Sequence, residues 1–398
     1  MDIHQFRQET AGCSHVIHLN NAGASLMPDV VTASIVDHIR LESTIGGYEA
    51  AALRAPEIHH CYVQAGKLLG CRADNIAFTA NATDSYTRAL SSIPFERGDV
   101  ILTDNDDFIS NQIQFLACRK RFGIRIERIR NAPGGGVDLE DLDTKLRTLQ
   151  PRLLAITHIP TNSGLVQPVG RIAEVYGAYA QTFPDKTWYI LDACQSVGQM
   201  KLDVTSLRCD FLSVTSRKFL RGPRGTGFLF VSDRALDAGL EPLFIDMRGA
   251  DWVAPDVYQP RPGAIRFEDW EFAYALILGT GTAIGYCLDI GEDRIWERVR
   301  YLSRRLRDGL SGLGGIRLLD RGPEVGGLVT FTIPGADPAY LLTELSKRTI
   351  NVVGTYKRFA VIDFADKGVE WAIRASPHYF NTEEELDALV QAMGALVC

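Results

Sequence analysis

The chain has 398 residues, 46% hydrophobic and 23% charged, with a formal net charge of −7 and a pI of about 5.7. That length buries a substantial core in two lobes, or in one large domain with a smaller companion, and the acid excess argues against nucleic acid as the main partner. No apolar run reaches membrane-spanning length, and the opening MDIHQFRQET lacks the basic-then-apolar order of a secretory signal, so the expectation is a cytoplasmic protein with no membrane partner.

From about 75 to 230, short β-rich runs alternate with helical stretches. Asn75-Ile-Ala-Phe-Thr79 reads as a strand followed by a helix from about Ser85. Asp99–Thr103, Leu153–Thr157, Trp188–Leu191 and Phe211–Val214 are continuous apolar runs, and Gly227–Val231 adds a strand after a Gly-rich turn. Runs apolar on both faces suit a buried, mainly parallel sheet covered by helices on each side. Pro255–Pro262 is the nearest thing to a linker. Beyond about 275, Ile295, Val299, Leu302, Leu306 and Leu310 fall at helical spacing before Gly312, Gly314 and Gly315. Strand-like 328–332, a helix near 338–348, strand-like 350–353 and 371–374, and a last helix opened by the capping-box spacing Thr382 to Glu385 complete an α/β pattern. The division expected is a large domain over 1–275 and a small C-terminal domain over 276–398. Eight cysteines, Cys13, Cys61, Cys71, Cys118, Cys194, Cys209, Cys287 and Cys398, form no Cys-x-x-Cys pair, so neither a zinc site nor a disulfide scaffold is expected.

The chemistry concentrates at strand ends. Lys218 follows a buried strand within Ser216-Arg-Lys-Phe-Leu-Arg-Gly-Pro-Arg-Gly-Thr-Gly227. Alone, such a lysine is most often a surface residue of a basic loop. Asp192, in Asp192-Ala-Cys-Gln195, closes an earlier strand, and binding sites in parallel sheets lie at the carboxyl ends of strands, so the two share one edge. A carboxylate there can keep a pyridine nitrogen protonated, although a helix N-cap is an equally good use for it. Thr79-Ala-Asn-Ala-Thr-Asp-Ser85 joins a strand to a helix whose first N–H groups, with the Thr83 hydroxyl, make a phosphate cradle. Thr157-His-Ile-Pro-Thr-Asn-Ser-Gly164 follows another strand and offers the Asn162 amide. Four polar strand ends, the last carrying a lysine, exceed what capping explains.

In these motifs the chain resembles the class V aminotransferase family of fold-type I pyridoxal-phosphate enzymes, the group of cysteine desulfurases, selenocysteine lyases, kynureninases and isopenicillin N epimerase. The resemblance runs from His18-Leu-Asn-Asn-Ala-Gly23 to Ile373-Arg-Ala-Ser-Pro-His-Tyr-Phe-Asn-Thr-Glu383. It implies pyridoxal 5′-phosphate as cofactor, Lys218 as the Schiff-base lysine, Asp192 as the pyridinium partner and Gln195 near the phenolic oxygen. It places the Ala82 N–H, Thr83 and Thr215 at the phosphate and Arg217 where a histidine commonly precedes the lysine. Asn162 is implied at the ring oxygen, Phe108 (rather than Ile109) as the stacking side chain, since it has a π-face, and Arg374 as the grip on the substrate α-carboxylate. A homodimer with sites near the interface is also implied.

Within the family, Arg217–Gly227, Arg266-Phe-Glu-Asp-Trp-Glu271 and Pro377–Thr382 most resemble the ergothioneine-pathway C–S lyases and their relatives. Two departures matter. Cysteine desulfurases carry a sulfur-accepting cysteine on the loop before the carboxylate arginine, and here that stretch, 354–368, has none. Glu271 stands near where those enzymes supply a threonine to the partner subunit's phosphate site. Arg221, Arg224, Tyr356, Lys357 and Arg358 are candidates for a polar or anionic substrate side chain. The expectation is therefore β-elimination at a C–S bond of a cysteine-derived substrate, with racemisation or epimerisation as the alternative and transamination third.

Overall fold

The computed structural model describes residues 1–397, and Cys398 lies outside the described residues. The apolar runs become one seven-stranded sheet: β1 (Ile76–Thr79), β2 (Val100–Thr103), β3 (Arg125–Arg128), β4 (Leu153–Thr157), β5 (Trp188–Asp192), β6 (Phe211–Thr215) and β7 (Gly227–Val231). Their spatial order is β1-β7-β6-β5-β4-β2-β3, and only β7 runs antiparallel to its neighbours. Alternate residues feed two apolar layers. Leu154, Ile156, Leu191 and Leu212 point into one, and Leu153, Ala155, Ile190 and Phe211 into the other. Burial on both faces is why these strands read as unbroken hydrophobic runs. The exception, β3, lies at the sheet edge, is partly exposed, and is composed of Arg125-Ile-Glu-Arg128.

Helices α1 (Asp29–Ile45) and α2 (Ala55–Leu69) precede the sheet, α3 (Ala82–Ser92) follows β1, and α4 (Ile109–Phe122) follows β2. The expected long helix beyond 275 is two helices, α5 (Tyr274–Ile290) and α6 (Glu292–Ser311), broken at Gly291 with φ +92°. Helix α5 packs with the large lobe: Ile277, Leu278, Ile284 and Cys287 join the sheet's apolar layer. A side chain on Gly279 would come within 2.5 Å of Ile35 Cγ1, so α1 and α5 approach at backbone distance. Among the described residues, no single helix is long and apolar enough to cross a membrane.

The C-terminal part builds a four-stranded antiparallel sheet from β8 (Arg317–Leu318), β9 (Val329–Thr332), β10 (Val353–Tyr356) and β11 (Trp371–Ala375), in the order β8-β9-β11-β10. Ile17–His18 pairs in parallel with Ile350–Asn351, so the chain's beginning is stitched to this lobe. The stretch 354–368 is ordered secondary structure, ending in α7 (Val361–Lys367). The last helix, α8 (Glu383–Val397), has the expected box: Glu385 N donates to Thr382 Oγ1 (3.3 Å) and Thr382 N to Glu385 Oε2 (3.1 Å). The segment expected as a linker is instead half of an exposed hairpin, Ala250–Ala254 against Val257–Pro260.

Candidate active site

Thr79, Thr103, Thr157, Asp192 and Thr215 end their strands on one edge of the large sheet, and the start of β7 joins them because Gly227 pairs with both Thr79 and Thr215. A cavity of about 310 Å³ opens at this edge. Its walls include Ala82, Thr83, Phe108, Thr161, Asp192, Cys194, Gln195, Thr215, Arg217 and Lys218. The sheet thus brings most of the expected set together. A larger concavity at the opposite strand ends holds charges that are already paired, Arg72 with Asp233 and Arg234 with Asp210.

Lys218 lies in a tight turn after β6. Gly222 N donates to Ser216 O (2.8 Å), and Arg221 N donates to Lys218 O (2.9 Å). The turn from Asp192 presses against it, since a Cβ on Gly198 would overlap the Phe219–Leu220 peptide. Lys218 is buried, and desolvation lowers its amine to about 8; the facing cations Arg217 and Arg374 add to this, while Asp192 works against it. Asp192 keeps one oxygen on Cys194 N (3.0 Å) and the other on Asn111 Nδ2 (3.1 Å).

At the other end, the first-turn N–H groups of Ala82 and Thr83 have no helical partner and line the cavity. Asn81 caps that helix by accepting from Asp84 N (3.0 Å), which leaves the two N–H groups for a ligand. Gly227 makes the cradle possible: a Cβ there would lie 2.9 Å from Ala82 N and 2.8 Å from the Asn81 carbonyl carbon. Gln195 Nε2 donates to Thr161 Oγ1 (2.8 Å) and Ala22 O (3.1 Å), while its buried Oε1 has no partner. Arg374 is buried behind Thr161, donating from NH1 to Thr161 O and Oγ1 (2.9 Å each) and leaving Nε without a partner. A phosphate cradle at one end, an acid and a lysine in the middle, and unpaired Gln195 and Arg374 atoms at the other fit pyridoxal phosphate with an amino-acid carboxylate beside it.

Five expected site residues fall elsewhere: Arg221, Asn162, Tyr356, Lys357, which pairs with Glu370 (2.6 Å), and Arg358. Arg221 is 2% exposed and does not line the cavity. It donates to Leu26 O (2.9 Å), Thr10 Oγ1 (2.6 Å) and Tyr379 OH, and its guanidinium stacks on Phe380 (4.3 Å), so it ties the two chain ends to the lysine turn. Asn162 turns away: its Nδ2 donates to Phe359 O (3.2 Å) and its Oδ1 accepts from Thr355, leaving Thr161 at the wall. Tyr356 ends β10 beside Arg358 and Phe359, outside the cavity. For Arg221 and Asn162 a close sequence neighbour does line the cavity and only the side-chain direction differs, whereas the Tyr356 stretch lies away from it altogether. Asn111 and Asp107 escaped notice, although their i, i+4 spacing at the head of a helix was a readable signal.

Comparison with known proteins places this geometry. The family model described as Aminotransferase class-V matches residues 17–389. A probable cysteine desulfurase of Methanothermobacter thermautotrophicus is 26% identical over 386 residues, covering 95% of this chain and 94% of the relative. A probable hercynylcysteine sulfoxide lyase of Mycobacterium tuberculosis is 26% identical over 388 residues, covering 95% and 90%. Among solved structures, the apo cysteine desulfurase of Thermococcus onnurineus NA1 superposes with a TM-score of 0.89 at 24% identity, covering 99% of this chain and 98% of that one, a likeness in fold. The chain therefore belongs to the class V aminotransferase family, as an enzyme of fold-type I whose cofactor is pyridoxal 5′-phosphate.

Proposed function

We propose that the enzyme is a C–S lyase, which removes the α-proton of a cysteine-derived substrate and expels the sulfur substituent from its β-carbon. The observation that carries this reading is the state of the cavity's thiol. Cys194 is the only cysteine lining the cavity among the described residues; it is buried, and desolvation followed by the Asp192 charge pushes its thiol well above the ordinary range. A thiolate able to accept sulfur is thus missing from the wall, and the 354–368 stretch contains no cysteine to supply one.

The bound cofactor supplies an electron sink for the charge left on the α-carbon. Asp192 holds the proton on the ring nitrogen through its carboxylate. Phe108 offers a face for the ring, and the Ala82 and Thr83 N–H groups with Thr215 hold the phosphate. Arg374 orients the substrate carboxylate, and Arg217 adds positive charge to the same wall. Lys218 Nζ, lowered to about 8, takes the α-proton as general base. Loss of the sulfur group and hydrolysis then give pyruvate and ammonia, one water entering for each turnover. Two-base racemisation is less well served, because apart from Lys218 and Asp192 the wall offers only the arginines Arg217 and Arg224 and the Cys194 thiol, which burial keeps protonated.

A homodimer completes the proposal. Phe244, Trp252 and Tyr48 are 84%, 80% and 76% exposed, and Met247, Leu53 and Tyr258 extend this apolar surface set, which water disfavours. Sedimentation analysis should give a dimer. The reaction is tested by incubating the holoenzyme with cysteine, cystine, cysteine S-conjugates and cysteine sulfoxides, then separating products. Pyruvate with ammonia is expected; alanine in place of pyruvate, or a uniformly negative panel, refutes elimination.

A further inference from the structure

Asp107 stands just behind the cavity in the loop between β2 and α4, and it is buried. Its Oδ1 accepts from Phe108 N (2.7 Å), Asn111 Nδ2 (2.8 Å) and Thr157 Oγ1 (2.5 Å), and its Oδ2 from Gln112 Nε2 (2.9 Å) and Thr103 Oγ1 (3.4 Å). The same Asn111 nitrogen donates to Asp192 Oδ2 at 3.1 Å. An amide nitrogen has two hydrogens, so one goes to each carboxylate and Asn111 becomes a bridge between two buried acids. Asp107 has no cationic partner among the described residues, and burial raises its carboxyl to about 6. A mere helix cap would accept first-turn backbone N–H groups of α4. This carboxylate instead accepts from Phe108 N, ahead of the helix, and otherwise from side chains.

We propose that Asp107 is a positioning residue for the cofactor: through Asn111 it aims the Asp192 carboxylate, and through Phe108 N it fixes the aromatic ring of the same wall. The inference rests on the reading that Asp192 and Phe108 face the cofactor ring. Four neutral side-chain donors, from Thr103, Thr157, Gln112 and Asn111, hold the carboxylate in one orientation, so Asn111 cannot rotate without breaking a bond at one end or the other.

The test uses apo-protein of the wild type, D107N, N111A and the double variant, titrated with pyridoxal phosphate. The readouts are dissociation constant, induced circular dichroism of the bound cofactor's visible band, and apo melting temperature. A hydrogen bond to a charged group sets the expected effect of each single variant at about a 10-fold weaker dissociation constant, with most of the induced signal lost. Both substitutions break one bridge, so the double variant should be no weaker than the worse single one. Wild-type affinity and signal in D107N, or effects that multiply in the double variant, overturn the proposal. So does loss of the apo fold in both single variants, which marks the bridge as structural. Failure of the wild type to bind the cofactor overturns the cofactor reading beneath it.

Discussion

Arg374 has been removed from water without a carboxylate beside it. NH1 and NH2 bond Thr161 and Asn20, Nε bonds nothing, and no ion pair forms with any acid of the described residues. Desolvation first, and the Arg217 charge second, lower its pKa from 12.5 to about 10. At 1.36 kcal/mol per factor of ten, the fold gives up roughly 3 kcal/mol to keep this cation ready. The folded-state value lies below the unfolded one, so the charged form opposes folding throughout the neutral range, and an arriving substrate carboxylate relieves the strain. Arg374→Gln should therefore cut kcat/KM by about 100-fold, the kinetic equivalent of roughly 3 kcal/mol. The apo-protein should melt no lower than wild type, because the amide still reaches Thr161 or Asn20 while the buried charge is gone. Initial rates of pyruvate formation over a substrate series measure the first, and differential scanning calorimetry of apo-protein the second. Unchanged kcat/KM, or a stability loss as large as the expected catalytic loss, refutes the reasoning.

Further predictions concern the same edge and its support. Cys194→Ala should leave pyruvate formation within about 3-fold of wild type, since the thiol's hydrogen bond to Ser213 O is long (3.9 Å) and the substitution removes one buried atom; abolished turnover would mean the sulfur is needed. Lys218→Ala should leave no borohydride-stable cofactor adduct in a peptide mass map. In the wild type the amine must be neutral to accept a proton, so the rate of solvent-deuterium entry at the α-carbon should climb with pH and level off above the value of about 8; a flat profile contradicts the assignment. Gly227→Ala forces a Cβ against the cradle and should weaken pyridoxal-phosphate binding, read by equilibrium titration, more than it weakens pyridoxal binding. Glu268 is fully buried and accepts from Arg248 Nε (2.6 Å), Phe78 N (2.7 Å) and Tyr62 OH (2.8 Å). Glu268→Ala strands Arg248 and should cost about 3–5 kcal/mol in urea unfolding.

Much of this was legible in the chain because burial on both faces leaves a local signature. Six of the seven large-sheet strands announce themselves as apolar runs, and the polar last residues of five of them name the site edge. The strand that stayed hidden, Arg125–Arg128, sits at an edge where one side faces water and charges are tolerated. Thr83, Asp192 and Lys218, which are fixed by backbone position, could be singled out from strand ends, whereas Ala82 and Thr215 came from the family resemblance. Those fixed by side-chain direction could not: Asn162 and Thr161 are neighbours, and only the pull of Thr355 and Phe359 decides which one faces the cavity. The break at Gly291 was masked by continuous helical spacing on either side, and the packing of α5 onto α1 and α2 depends on contacts more than two hundred residues apart.

Residues 17–18 find their strand partner only at 350–351, and Asn20 bridges to Ser376. During synthesis the N-terminal segment therefore waits, unpaired, until nearly the whole polypeptide has left the ribosome, and the pocket cannot close around Arg374 before that moment. Assembly of the enzyme is thus governed by its latest-emerging residues, a topology that favours slow maturation and makes any chain stopped before position 350 a template without an edge to join.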